Sequence, residues 1–135
     1  MLLIFGFSTN AGAPRNTSRI IGPILRWLYP GIADETVQSI QLVARKGAHL
    51  TEYALLALLS WRARRKPTRN DPRPWRWSEA GFALAVAVLF AASDEWHQSF
   101  VPSREGALRD VLIDAAGAAL GLLVLWRWGR WRKVW

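Results

Sequence analysis

Residues 80–93 read AGFALAVAVLFAAS, fourteen consecutive positions without a charge. Together with their flanks at Glu79 and 94–101, they are long enough to cross a bilayer, which takes about 20 mostly apolar residues. Two more segments resemble them. Residues 111–126 (VLIDAAGAALGLLVLW) carry one charge, Asp114; residues 48–61 (AHLTEYALLALLSW) carry Glu52 and the titratable His49. A helix at the surface of a water-soluble bundle shows one apolar stripe and one polar face. Here 82–90 and 115–124 are apolar all round, and three such helices in 135 residues leave too little chain to cover them. The reading is all-α: an integral membrane helical bundle in one domain, 1–135, spanning at about 46–62, 79–99 and 108–127.

Tryptophan placement agrees. Of nine, Trp61, Trp75, Trp77, Trp96, Trp126 and Trp128 fall at or just beyond segment ends, where interfacial aromatic anchors sit. Residues 1–7 (MLLIFGF) are apolar but too short to span. They lack the basic region and cleavage motif of a signal peptide, and read as the truncated end of an N-terminal spanning helix. Residues 8–45 form an extracytoplasmic stretch with loop signals at Gly12, Pro14, Pro30 and Gly31. Within it, 20–29 and 35–44 show helical spacing suited to the membrane interface.

The charge balance, 18 Lys and Arg against 10 Asp and Glu, first suggests nucleic acid. Its distribution gives another reason. Arg62, Arg64, Arg65, Lys66, Arg69, Arg73 and Arg76 crowd one loop, and Arg127, Arg130, Arg132 and Lys133 the tail. Two crossings separate these clusters, so the positive-inside rule places both in the cytoplasm of a multi-pass inner-membrane protein. No nucleic-acid partner is expected. The absence of Cys excludes disulfides, thiolate metal sites and a cysteine nucleophile.

With that orientation, polar residues converge at the outer ends of the segments. Lys46, His49 and Tyr53 (i, i+3, i+7) share a helix face, with Glu52 beside them. Asp94, His97 and Gln98 share another, next to Glu95, and Arg104, Arg109, Asp110 and Asp114 open the last segment. Ionisable groups at membrane depth are costly unless they face a bundle interior, a partner or water, and so are functional candidates.

In order along the chain, Lys46-x-x-His49-x-x-x-Tyr53, then Asp94-Glu95-x-x-Gln98, then Arg104, Asp110 and the Gly-rich helix from Gly117 resemble the VanZ-like family of small bacterial membrane proteins. Phe7 and Ser8 look like that family's N-terminal Phe-Ser pair, so the likeness runs from about residue 5. The chain departs from the pattern in two places: only the last residues of the family's first helix are present, and Asp114 stands where an amide is common. The resemblance implies an envelope membrane protein of a family named for teicoplanin-type glycopeptide resistance. It supplies no reaction.

The expected catalytic candidates are His49 with Asp94 or Asp110 as an acid–base set. The ligand-binding candidates are Lys46, Glu52, Tyr53, Glu95, Gln98, Arg104 and Asp114. Lys46 as a point charge and Arg104 as a planar fork suit a phosphate or carboxylate. The expected partner is therefore a membrane lipid or lipid-linked cell-wall precursor, recognised or modified at the outer leaflet. The competing readings are an acid–base enzyme on a phospholipid or polyprenyl-phosphate-linked substrate, and a structural subunit whose charges only hold helices together. His49 and His97 lie in no HExxH and cations stand close by, so neither a metal nor another cofactor is expected. The Gly117-x-x-x-Gly121 pattern offers a face for close packing, within the protomer or in a homo-oligomer.

Overall fold

A computed structural model describes residues 14–68, 71, 73–100 and 108–135, with side chains from Ile21 onward except Gln98. The expected remnant of a spanning helix at 1–7 lies outside the described residues. Among those described there are four helices and no strand: α1 (Pro14–Leu28), α2 (Asp34–Arg65), α3 (Trp77–Gln98) and α4 (Leu108–Trp131). The chain divides into two compact units, Met1–Ala48 and His49–Trp135.

In the first unit, α1 ends before a turn at Pro30 and Gly31, closed by the Ile32 N–H donating to the Tyr29 carbonyl at 3.1 Å. Asp34 and Glu35 open α2 with negative charge at the positive end of the helix dipole. The Arg26–Asp34 pair, 2.6 Å across the turn, is exposed on both sides and contributes little. Val37 is buried, whereas Trp27, Leu28, Tyr29 and Val43 are exposed. Residues 35–44, expected as a separate interfacial helix, are continuous with the segment that follows. No proline interrupts 34–65, and Ala, Leu, Gln and Arg favour one 32-residue helix.

Of the three segments read as spans, one, Trp77–His97, forms a helix that by itself is long and apolar enough to cross a membrane. α2 carries Lys46, His49 and Glu52 within its length, and α4 carries Arg109, Asp110 and Asp114, so their uninterrupted apolar runs are shorter.

The second unit has a core of small residues. Tyr53, Ala57 and Trp61 from α2 meet Ala80, Ala83, Ala87 and Ala91 from α3, with Ala118 and Leu122 from α4. Steps of three and four put each set on one helix stripe. The large apolar side chains point the other way: Leu55, Leu59, Leu89, Leu112, Leu120 and Val124 are all more than half exposed. Small side chains inside let the backbones approach. A Cβ on Gly117 would lie 2.5 Å from the Leu50 carbonyl oxygen, and one on Gly121 would lie 3.0 Å from the Ala54 Cβ. These two contacts advance together along both chains, so α4 runs parallel to the latter half of α2, with the GxxxG face filled from within the protomer.

A second device fixes the opposite end of this unit. The Arg65 side chain is 1% exposed. It donates to Asp71 Oδ2 at 3.0 Å, to Glu79 Oε2 at 3.1 Å, and to the carbonyls of Pro74 (3.1 Å) and Arg73. Arg73 returns a hydrogen bond to the Arg65 carbonyl at 2.8 Å, satisfying a backbone acceptor at the C-terminus of α2. Rings surround this guanidinium. Trp61 stacks on Trp75 with centroids 5.4 Å apart, and Trp135 sits 5.3 Å from Trp75 and 5.9 Å from Trp61. Trp61 is thus part of the core and not the exposed anchor expected from its position; Trp77, Trp96 and Trp128 are exposed.

Trp135 arrives there by a capping turn. The Lys133 N–H bonds to the Arg130 carbonyl (3.2 Å), the Val134 N–H to the Gly129 carbonyl (2.9 Å), and Lys133 takes φ +52°. That is a Schellman motif with Lys in the left-handed position usually held by glycine. The chain folds back so that the Trp135 indole N–H donates to the Trp126 carbonyl at 3.3 Å, and its ring lies where a Cβ of residue 129 would be. A side chain at 129 would push the Trp135 ring out of this place.

Three outcomes follow, each read by unfolding monitored through helical circular dichroism. Gly117→Ala lowers stability by about 1–3 kcal/mol through overpacking. Gly81→Ala, where nothing lies within 4 Å of the new Cβ, raises it by up to about 1 kcal/mol. Arg65→Leu costs about 3 kcal/mol or more, because the largely buried Asp71 and Glu79 carboxylates lose the partner they share. A pH effect accompanies the last. Hydrogen bonds from the Arg73 guanidinium, aided by its backbone N–H and by Arg65, hold the Asp71 carboxyl well below the usual carboxylate range. The folded value lies below the unfolded one, so this contribution is complete above about pH 4 and fades as the pH falls further. The wild-type unfolding midpoint should drop on acidification below about pH 4, and Asp71→Asn should drop less.

Candidate functional site

The glycine contact places the site. With Gly117 against Leu50, the first turns of α4 lie level with the turn of α2 that carries His49. There His49 Nδ1 stands 3.7 Å from Asp114 Oδ1. The Asp114 side chain is 5% exposed and that of His49 32%, so a buried carboxylate meets a ring that still reaches the surface. At 3.7 Å the two atoms are close but farther apart than in a hydrogen bond. A small movement, or one water, would close it.

One turn along α2 from His49, Tyr53 is 2% exposed, and its hydroxyl is buried without a hydrogen-bond partner. Most buried hydroxyls are paired, so an orphan calls for an explanation. It lies within electrostatic reach of Asp94, Asp114, Glu52 and Glu95. Asp114 in turn feels Asp94, Asp110, Glu95 and Glu52. Helix packing thus brings five carboxylates, an imidazole and a phenol from three helices to one end of this unit.

The sequence candidates divide accordingly. His49, Glu52, Tyr53, Asp94, Glu95, Asp110 and Asp114 fall in this cluster, and Asp94, Glu95 and Asp110 each engage a neighbour. Lys46 is half-buried one turn before His49 on α2 and is also engaged. Arg104 lies outside the described residues, and of Gln98 only the helical backbone is described. His97 is exposed. Among the described residues no three His, Asp or Glu side chains converge as a metal site requires.

The carboxylate set against the imidazole is Asp114, read from sequence as a ligand-binding residue, whereas Asp94 and Asp110 were expected as His49's partners. The signal for Asp114 was present but indirect. It stands three residues ahead of Gly117, on the same face, and a glycine that admits another helix's backbone draws that face inward.

Chemically, a neutral imidazole can accept a proton while a carboxylate holds and orients it. The Tyr53 hydroxyl can donate to an incoming acceptor. The remaining carboxylates bias the surroundings toward positive groups and oppose an anion not held by cations of its own.

No curated protein and no solved structure gives a significant match to the chain. A family model described as VanZ/LLP1 matches residues 1–129, which takes in all three motifs and the whole candidate site. By that match the chain belongs to the VanZ/LLP1 family.

Proposed function

We propose that this chain is a VanZ-like envelope membrane protein whose His49 site recognises or modifies an anionic lipid-linked or cell-surface component at the outer leaflet, with an effect on glycopeptide susceptibility. The observation that carries the site is the His49–Asp114 contact beside the orphaned Tyr53 hydroxyl. The membrane setting is supported by the inverted packing: alanines inside, with Leu and Val facing outward on all three helices of the second unit. Soluble monomers rarely expose apolar area so continuously, whereas membrane helices pack through small residues. The apolar helix Trp77–His97 and the family membership support it as well.

In this reading α2, α3 and α4 each cross the bilayer, residues 62–77 and the C-terminal tail are cytoplasmic, and the acidic end faces out. Lys46 and Arg104 are the cations assigned to the ligand's phosphate or carboxylate. A membrane acid–base enzyme is the second reading. It is favoured by the buried carboxylate paired with a part-exposed imidazole, a geometry that orients a base.

Topology is open to a clean test because the chain has no cysteine. A cysteine at Ser99 should react with a membrane-impermeant maleimide in intact spheroplasts, and one at Thr68 only after lysis; the reverse pattern would overturn the orientation. The site is tested by His49→Ala, Asp114→Asn, Tyr53→Phe and Arg104→Gln in membrane-inserted protein. Binding of a polyprenyl-pyrophosphate-linked precursor should weaken at least about tenfold for His49→Ala and Arg104→Gln, equivalent to about 1.4 kcal/mol. Teicoplanin susceptibility of expressing cells should shift in parallel. Unchanged binding and unchanged susceptibility in all four would sink the proposal. Loss of turnover with binding retained in His49→Ala would select the enzyme reading.

A further inference from the structure

The basic end of the second unit holds more positive charge than the Arg65 cluster consumes. Asp71 and Glu79 are the acidic residues between Glu52 and Asp94 in sequence, and no Asp or Glu stands between Asp114 and Trp135. Both serve Arg65, and Asp71 also serves Arg73. On the last turns of α4, Arg127 makes no hydrogen bond or ion pair among the described residues, and Arg130 contacts only the Trp126 ring, at 5.7 Å.

These two arginines, with Trp126, lie at one end of a shallow, open groove of about 960 Å³ that α4 alone lines. The same helix face presents Leu120, Leu123 and Val124 toward the middle of the helix, with Trp128 and Trp131 at the arginine end. At 1.5 Å per residue, the groove runs about 15 Å from Leu120 to Arg130. Leu120, Val124, Trp128 and Trp131 are more than half exposed, and Leu123 nearly so.

We infer that this groove is a binding site for an anionic phospholipid, its phosphate held by Arg127 and Arg130 and the start of an acyl chain lying along Leu123 and Val124. The argument is complementarity of two kinds at one place. Uncompensated guanidiniums call for an anion, and their planar forks match phosphate oxygens. The apolar trough that begins at the same turn calls for hydrocarbon. A soluble anion would satisfy the first and leave the second wet, while a zwitterionic lipid would fill the second without net charge for the first. Tryptophans flanking the arginines suit the headgroup level. The inference rests on the bilayer part of the proposed function and not on the His49 site, which lies about 20 Å away along α4.

The test uses the full chain purified in mild detergent, with phosphatidylglycerol, phosphatidylcholine or soluble glycerol 1-phosphate added and retained adducts counted by native mass spectrometry. Phosphatidylglycerol should be retained about tenfold more than phosphatidylcholine, and glycerol 1-phosphate not at all. Arg127→Gln should reduce that preference, and Arg127→Gln with Arg130→Gln should abolish it. Arg62→Gln with Arg76→Gln removes the same charge elsewhere and should leave it intact. Leu123→Gln should weaken both lipids. Equal retention of the two lipids, an unchanged preference in the Arg127 variants, or loss in the Arg62/Arg76 control would overturn the site. Retention of glycerol 1-phosphate would replace the lipid with a free phosphate. A chain that purifies monodisperse without detergent would instead overturn the bilayer reading itself.

Discussion

The close approach of α4 to α2 at Gly117 and Gly121 sets everything else in the second unit. Two glycines spaced by four let the Leu50 and Ala54 backbone come within van der Waals distance. That contact fixes both the direction and the register of the two helices. Once it is made, Asp114 is level with His49 and the ends of α2 and α4 lie together, which lets Trp135 reach Trp61 and Trp75. Larger residues at these positions would separate the helices and dissolve the polar cluster and the aromatic one together. Alanines at 83, 87 and 91 of α3 extend the same principle to the third helix. Dispersion between closely spaced backbones, together with burial of Tyr53, Trp61 and Leu122, holds this bundle.

The two ends handle charge differently. At the basic end, a buried arginine is surrounded by two carboxylates, two carbonyls and two tryptophan rings, and its hydrogen-bonding capacity is nearly exhausted. Such a network costs desolvation and returns it through geometry, so its role is to fix one arrangement of the loop between α2 and α3. At the acidic end, a carboxylate is buried, its imidazole partner stands slightly too far away, and a phenol has no partner. Orphaned donors occur at both ends: the Tyr53 hydroxyl at the acidic end, and the buried indole N–H groups of Trp61 and Trp75 at the basic end.

Sequence periodicity carried the helical class. It did so because apolar runs and i, i+3, i+4 spacing are local properties. It missed the continuity of α2 through residues 44–46, because the charged pair Arg45-Lys46 looks like a boundary although neither residue breaks a helix. It assigned Arg65 and Arg73 to a uniform basic loop, since nothing local distinguishes an arginine that will be buried by Asp71 and Glu79 from one that stays solvated. It placed Trp61 and Trp75 at an interface because position along a segment says nothing about which neighbour arrives from 60 residues away. The approach of Asp114 to His49 is likewise set by a helix contact and not by spacing.

The tryptophan cluster has an optical consequence. Indoles stacked or tilted at 5.3–5.9 Å couple their electronic transitions, so Trp61, Trp75 and Trp135 absorb and emit as a group and not as three separate chromophores. An ordered, asymmetric group of this kind produces near-ultraviolet dichroism that isolated rings lack. Because Arg65 sits over two of these rings, the signal reports whether the Arg65 cluster is assembled. The protein thus carries its own label for the end of the bundle farthest from the candidate site.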